Sequence, residues 1–267
     1  MAPTTQKALV LPAEKAPFQL VADWPVLKPG PSDVLIKLVS AALNPVDAYI
    51  KALGGGPLVS KYPLVLGLDG AGIVEEVGSE VTNVAKGDRV LVSGEFGDNR
   101  ATFKEYLTYP ASEIAKVPAN ISFDQAATIP LAFATAVTPI WASEDGAKSV
   151  RFTPPWEAGG TTKYAGKAAL VLGGSTSVGQ FVIQCARMQG FAPIIATSSP
   201  RNAAFLKSLG ATDVLDRSLP PSDIKSALSS LAGGKPIEYV YDAWGRDGES
   251  ARVGYSVLAR GGAFATV

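Results

Sequence analysis

The stretch that most constrains this chain is Ala168–Gly179, AALVLGGSTSVG. Ala168 to Leu172 is an unbroken apolar run of strand length, which suits a parallel strand buried on both faces. A glycine-rich turn follows: Gly173, Gly174, Ser175, Thr176, Ser177, Val178, Gly179. Val178, Phe181, Val182, Cys185 and Met188 then recur at helical spacing. Strand, glycine turn and helix make the first half of a dinucleotide-binding βαβ unit. The glycines let the backbone bend tightly and approach a pyrophosphate, and the helix start offers free N–H groups and the positive end of its dipole. The turn spans seven residues from first to last glycine, so it is not the strict G-x-G-x-x-G, and the same pattern also serves as a plain strand-to-helix turn.

The rest of the chain divides around that stretch. Downstream, strand patterns at Pro193–Thr197, Asp213–Leu215, Ile237–Asp242 and Ala263–Val267 alternate with helical patterns at 178–189, 201–209, 222–232 and 248–259. This rhythm predicts an α/β, doubly wound parallel sheet. Upstream, Lys7–Leu11, Asp33–Ser40 and Arg89–Val92 read as short strands, and glycines at 67, 70 and 72 lie among β-formers. A small, curved, β-rich domain is expected there, running to about Pro118. Within it, Asn44-Pro45-Val46-Asp47 starts a helix: Asn44 is a candidate N-cap, Pro45 suits the first turn, and Asp47 sits where negative charge is favoured. Ser122 with Gln125 has the form of a capping box. A second helical stretch, Leu131–Ala142, carries Thr135 and Thr138. Residues 146–166 form a long Pro/Gly-rich loop of the kind that is often functional or mobile. The domains are placed at 1–125 and 126–267.

Composition narrows the chemistry. Lys+Arg and Asp+Glu are both 24, so the net charge is zero, which argues against a nucleic-acid partner. The chain contains no histidine, which removes His-based triads and His-ligated zinc, and its one cysteine removes both an intramolecular disulfide and a Cys-rich zinc site. Cys185 lies on an apolar helix face and reads as packing. The N-terminus lacks an apolar secretory core, and the longest weakly charged run, 126–143, is broken by Pro130 and Pro139. No membrane partner is expected, and a cytoplasmic location is the default.

Taken in order, Asn44-Pro45-Val46-Asp47, Gly67-x-Asp69-Gly70-Ala71-Gly72-x-Val74, VAKGDRV at Val84–Val90, the turn Gly173–Gly179 and the final Gly261-Gly262 strand resemble the medium-chain dehydrogenase/reductase superfamily. The resemblance implies a GroES-like β-rich domain followed by a Rossmann domain. Leu68-Asp69 stand where zinc-dependent members carry His-Glu, and the four-cysteine lobe is missing. The chain is therefore similar to the zinc-free branch of quinone oxidoreductases and enoyl reductases. Asn44–Tyr49, Ile129–Thr135 and Ser198–Asn202 are most similar to the fungal trans-acting enoyl reductases that serve polyketide synthases. In that family a sixth Rossmann strand and a closing segment follow the point where this sequence stops, so a five-strand sheet with an open edge is expected.

The resemblance also implies roles. Gly174, Ser175, Thr176, Ser177 and Val178 would cradle a pyrophosphate. Val46 and Asp47 would line the nicotinamide ribose, and Thr135 would touch the nicotinamide. After the second Rossmann strand, Ser199, Pro200, Arg201 and Asn202 offer hydroxyl, amide and guanidinium groups and no acid, which favours NADP(H) over NAD(H). Arg217 stands where the fungal enzymes commonly have a tyrosine near the same end of the cofactor. Tyr49 resembles the active-site tyrosine of quinone reductases and is the candidate catalytic donor, with water as its competitor. The expected reaction is metal-free hydride transfer from NADPH to an activated C=C of a small or carrier-bound enoyl substrate, an enone or a quinone. The alternative is a non-catalytic NADPH-binding or interaction protein. A short-chain dehydrogenase would need a Tyr-x-x-x-Lys after Gly179, and none is present.

Overall fold

A computed structural model describes residues 2–267 except 60, 97, 98, 145, 147 and 247. The chain divides into two compact units, Met1–Leu131 and Ala132–Val267.

The first unit is built from antiparallel strands. β1 (Thr5–Leu11) lies between β2 (Gln19–Pro25) and β4 (Leu64–Val65) in one sheet. The second sheet has the order β7-β3-β5-β6-β8, formed by β3 (Asp33–Ala42), β5 (Asp69–Val77), β6 (Arg89–Ser93), β7 (Tyr106–Pro110) and β8 (Ile114–Lys116). Alternation along β3 and β6 turns Val34, Ile36, Val90 and Val92 into one cluster with Val74 and Leu107. Gly72 on β5 is needed because a Cβ there would come within 2.9 Å of Leu38 Cα on the neighbouring strand. α1 (Pro45–Leu53) is, among the described residues, the one helix of two turns or more lying wholly within this unit, and it buries Ile50 against Leu11, Leu64 and Leu66. α2 (Phe123–Ala127) starts on the expected cap: Gln125 N–H donates to Ser122 Oγ at 3.1 Å, and Ser122 N–H donates to Gln125 Oε1 at 2.9 Å.

α3 (Pro130–Trp141) leads into the second unit. There β9 (Ala168–Leu172), β10 (Ile194–Ser198), β11 (Asp213–Asp216), β12 (Ile237–Asp242) and β13 (Leu258–Thr266) form one parallel sheet in the order β11-β10-β9-β12-β13. The connecting helices are α4 (Ser177–Met188), α5 (Ala203–Leu209), α6 (Pro221–Leu231) and α7 (Glu249–Val257). All five residues of β9 are buried, as an unbroken apolar run in a central parallel strand requires. Ala169 and Val171 face a core shared with α3, α4 and α5, while Leu170 and Leu172 face one shared with α6 and α7. Each fully buried Leu, Ile or Val on these faces contributes roughly 1.5–3 kcal/mol of transfer free energy. β13 is an edge strand of the sheet among the described residues.

The long loop is pinned down rather than loose. Phe152 and Tyr164 enter the second unit's core, where Tyr164 stacks on Phe191 with ring centroids 5.2 Å apart. The Tyr164 hydroxyl also accepts the Thr153 N–H at 2.7 Å. Among the described residues no helix is long and apolar enough to cross a membrane.

Candidate functional site

The second unit's candidate site lies at the carboxyl ends of its strands, where open α/β sheets bind ligands next to the strand-order reversal. Here the reversal falls between β9 and β12. The glycine turn leaves β9 with Gly173 at φ +73°, a conformation that favours glycine. Gly174 has no room for a side chain, since a Cβ would lie 2.8 Å from Ala196 Cβ. Gly179 has less: a Cβ would sit inside contact distance of the Gly173 carbonyl and 2.9 Å from Gly174 Cα. The turn is thus packed down onto β10 and onto the start of α4.

Its hydrogen bonds show what remains to bind a ligand. Gly173 N–H donates to Thr197 Oγ1 and Gly174 N–H to the Thr197 carbonyl, at 3.0 and 2.9 Å. Thr176 Oγ1 caps α4 by accepting Gly179 N–H at 2.9 Å. Among the described residues, nothing accepts from the N–H groups of Ser175, Ser177 or Val178. Ser175 and Ser177 are exposed. Three unshared donors at the start of a twelve-residue helix suit the pyrophosphate of a dinucleotide.

β10 ends at Ser198, and Ser199, Pro200, Arg201 and Asn202 follow on the surface or half-buried. Asn202 Nδ2 donates to the buried Ser198 Oγ at 3.0 Å, which fixes that turn. Arg201 is exposed. Arg217, just past β11, is tied to the same place by its N–H, which donates to the Ser198 carbonyl at 3.1 Å. Thr135 is half-buried on α3, and its carbonyl accepts the Tyr241 hydroxyl at 2.8 Å.

Sequence reasoning missed two features here. A cavity of about 540 Å³ is lined by Leu172, Thr197, Arg217, Ile224, Trp244 and Val253, among others. Asp242 is fully buried and holds the turn after β12, including the lining residues Trp244 and Ser250: Oδ1 accepts the N–H groups of Trp244 and Gly245 at 3.0 and 3.2 Å, and Oδ2 accepts the Ser250 hydroxyl at 2.7 Å. The signal was an acid closing an apolar strand ahead of Trp-Gly-Arg.

In the first unit, the candidate residues centre on α1. Tyr49 projects from it half-exposed, which leaves the hydroxyl available. Asp47 is placed differently from the expectation that it lines a ligand. It is buried, with Oδ2 accepting Asn44 N–H at 2.8 Å and Oδ1 accepting Gly67 N–H at 3.2 Å. The carboxylate staples the start of α1 to the loop before β5, because a buried charge must be hydrogen-bonded. Val46 likewise packs against the Leu11–Ile50–Leu66 cluster. Asn44 Nδ2 donates to Asp69 Oδ2 at 2.8 Å, and Asp69 Oδ1 accepts Leu131 N–H at 2.6 Å. Burial raises the Asp47 carboxyl above its usual value, against the Asn44 and Gly67 N–H bonds. Burial also raises Asp69, against the Asn44 and Leu131 bonds and with help from the Asp47 charge.

Two family models match the chain: "Alcohol dehydrogenase GroES-like domain" over residues 30–119 and "Zinc-binding dehydrogenase" over residues 177–267. Among curated proteins, the chain is 37% identical over 217 residues to trans-enoyl reductase tndF of Aspergillus flavipes, covering 79% of this chain and 59% of tndF. It is 36% identical over 229 residues to trans-enoyl reductase tazE of Aspergillus terreus, covering 83% of this chain and 71% of tazE. Among solved structures, an alcohol dehydrogenase superfamily protein from Novosphingobium aromaticivorans superposes with a TM-score of 0.79 at 28% identity, covering 98% of this chain and 72% of that one. The quinone oxidoreductase of Coxiella burnetii gives 0.71 at 28%, covering 97% and 74%. Antiparallel β unit, five-strand parallel sheet, glycine turn and relatives agree: this chain belongs to the medium-chain dehydrogenase/reductase superfamily.

Proposed function

We propose that the chain is an NADPH-dependent, metal-independent reductase of activated C=C bonds, acting on an enoyl thioester, an enone or a quinone. An enoyl chain is the substrate class favoured by its likeness to the trans-enoyl reductases tndF and tazE, with a polyketide synthase as the proposed carrier. The observation that carries the reading is the C-terminal edge of the parallel sheet. There, three unshared N–H groups at the glycine turn stand beside a β10 end that has hydroxyls and arginine and no acid.

Bound at this edge, a reduced nicotinamide dinucleotide supplies a hydride. The chain's own residues do the rest. The Ser175, Ser177 and Val178 N–H groups hold the pyrophosphate. Ser199, Arg201, Asn202 and Arg217 bind the phosphate on the adenosine 2′ position through charge-assisted hydrogen bonds. Tyr49 donates a hydrogen bond to the substrate carbonyl oxygen as negative charge gathers there, a contribution of about 3 kcal/mol when preorganised. Its proton then passes to the α-carbon, and water reprotonates the half-exposed phenolate. A conjugated C=C needs no Lewis acid, because electrons displaced from the β-carbon flow to the carbonyl oxygen. A chain without histidine, whose single thiol is buried, is suited to that class of acceptor.

The test follows NADPH oxidation by the purified chain with a 2-enoyl thioester, an enone and a quinone, with and without a chelator. The expected result is turnover that the chelator leaves unchanged and an NADPH affinity above that for NADH. Chelator-sensitive alcohol oxidation, or tighter NADH binding, overturns the reading. Binding without turnover reduces it to a nucleotide-binding protein.

A further inference from the structure

We propose that Tyr241 is a positioning residue for the nicotinamide end of the dinucleotide, acting through the backbone carbonyl of Thr135 that Pro139 leaves without a helical donor. This rests on the dinucleotide reading above, with Thr135 as the residue beside the nicotinamide, and adds to it the device that fixes Thr135 in place.

Pro139 lies inside α3. In an α-helix the N–H of one residue bonds the carbonyl four residues back, so the donor owed to the Thr135 carbonyl is the one that Pro139 lacks. The proline ring also crowds that carbonyl. The vacancy is filled from the sheet: the Tyr241 hydroxyl donates to the Thr135 carbonyl at 2.8 Å. The bond uses the Thr135 backbone and leaves its side chain free. Among the described residues nothing is hydrogen-bonded to the Thr135 hydroxyl. Beyond the proline, the Val150 and Phe152 N–H groups donate to the Pro139 and Ile140 carbonyls, both at 2.9 Å. The far end of α3 is thus held by the long loop, and Thr135 is held by Tyr241.

Tyr241 is a rigid anchor for this purpose. It is fully buried on β12, where it pairs with Val171 on β9 and Ala265 on β13. Val171 stands two residues before Gly173, so Thr135 is tied to a strand at the reversal from which the glycine turn leaves. Burial pushes the Tyr241 hydroxyl above its ordinary value, so it stays a donor at any pH the chain works in. Tyr239, two residues earlier in the same core, supplies the contrast: its hydroxyl is buried without a partner. Packing at this layer therefore does not itself require a bonded hydroxyl. A contact residue displaced by a fraction of an ångström is enough to weaken a ligand and slow its reaction.

The probes are NADPH and adenosine 2′,5′-bisphosphate, which lacks the nicotinamide. They are titrated calorimetrically into the full chain and into Tyr241→Phe, Pro139→Ala, the double variant and Tyr239→Phe, with thermal unfolding measured on each. Tyr241→Phe is expected to weaken NADPH about fivefold and the bisphosphate less than about 1.5-fold. Pro139→Ala restores a helical N–H to the Thr135 carbonyl, so alone it binds NADPH as the wild type does, and in the double variant it recovers most of the loss. Tyr239→Phe leaves both affinities unchanged. A Tyr241→Phe loss confined to melting temperature, equal weakening of both probes, or a double variant no better than Tyr241→Phe overturns the inference. So does a wild type that holds NADPH no tighter than the bisphosphate. A wild type that binds neither probe refutes the dinucleotide reading and this inference with it. NADPH oxidation on the same preparations separates the two claims: the expected binding pattern without turnover leaves this inference standing and refutes hydride transfer.

Discussion

Gly179→Ala tests whether the glycine turn is built as described, because two effects of opposite sign meet there. Gly179 is the third residue of α4, and replacing a helical glycine with alanine is ordinarily worth up to about 1 kcal/mol in favour of alanine. The added Cβ, however, would strike the Gly173 carbonyl oxygen and lie 2.9 Å from Gly174 Cα and 3.1 Å from Gly173 C. All three are backbone atoms, so no rotamer change relieves the contact. Overpacking of this kind costs about 1–3 kcal/mol. The clash wins, and the net cost is roughly 1–2 kcal/mol. For a unit the size of Ala132–Val267 that lowers the melting temperature by about 3–10 °C. The displaced turn also carries the Ser175, Ser177 and Val178 N–H groups away from the pyrophosphate, so NADPH affinity falls about tenfold. Thermal unfolding and calorimetric titration read both effects. Ser175→Ala, which removes an exposed hydroxyl and keeps the N–H, is the control and stays within about 0.5 kcal/mol. A Gly179→Ala chain as stable as wild type, with unchanged affinity, refutes the packed-turn account.

Tyr49→Phe lowers turnover about tenfold or more while NADPH affinity stays constant; unchanged turnover takes Tyr49 out of the proton path. Burial pushes the Cys185 thiol up to about 12, so the native chain resists an aromatic disulfide reagent at mildly alkaline pH and yields one thiol once denatured. Fast native labelling contradicts that placement. Asp47 and Asp69 bind protons more tightly folded than unfolded, so their contribution to stability is full below the ordinary carboxylate value of about 3.9 and is lost as pH rises from there through their raised values. Melting temperature measured upward from that pH shows this fall, and Asp69→Asn flattens it. Asp88, held low mainly by Lys116, gives the opposite slope only below the ordinary carboxylate range. An identical pH profile in Asp69→Asn refutes the assignment.

What the sequence made legible was what depends on near neighbours. The AALVL run of β9 could be nothing but a buried strand, and the Ser122–Gln125 box marked the start of α2. The alternation after 168 gave the parallel sheet, because the apolar runs of β9, β10 and β12 recur with helical patterns between them. Elements defined by a distant partner were harder to see. β2, QLVADWP, is mostly exposed and is not among the strands read from the sequence; its pairing with β1 makes it a strand. β13 begins at Leu258 rather than Ala263: Gly261-Gly262 interrupts the sequence pattern, and the ladder with β12 jumps there from Ile237–Leu258 to Tyr239–Ala263. The loop 146–166 looked free because nothing local shows that Phe152 and Tyr164 stack on Phe191 and its neighbours. Asp47 was legible as a helix start, but the Gly67 N–H that turns its carboxylate inward lies twenty residues away. Arg217 lies just past the strand pattern at 213–215, yet its meeting with Arg246 on Trp244 needs β11, β10, β9 and β12 brought side by side.

The central claim is hydride delivery to an activated C=C, and isotope transfer tests it most directly. The purified chain is given NADPH carrying deuterium at the nicotinamide C4 position, with a 2-enoyl thioester in ordinary water. The account predicts one deuterium at the β-carbon of the saturated product and a solvent proton at the α-carbon. Saturated product without label at the β-carbon, or no product while NADPH remains bound, contradicts it.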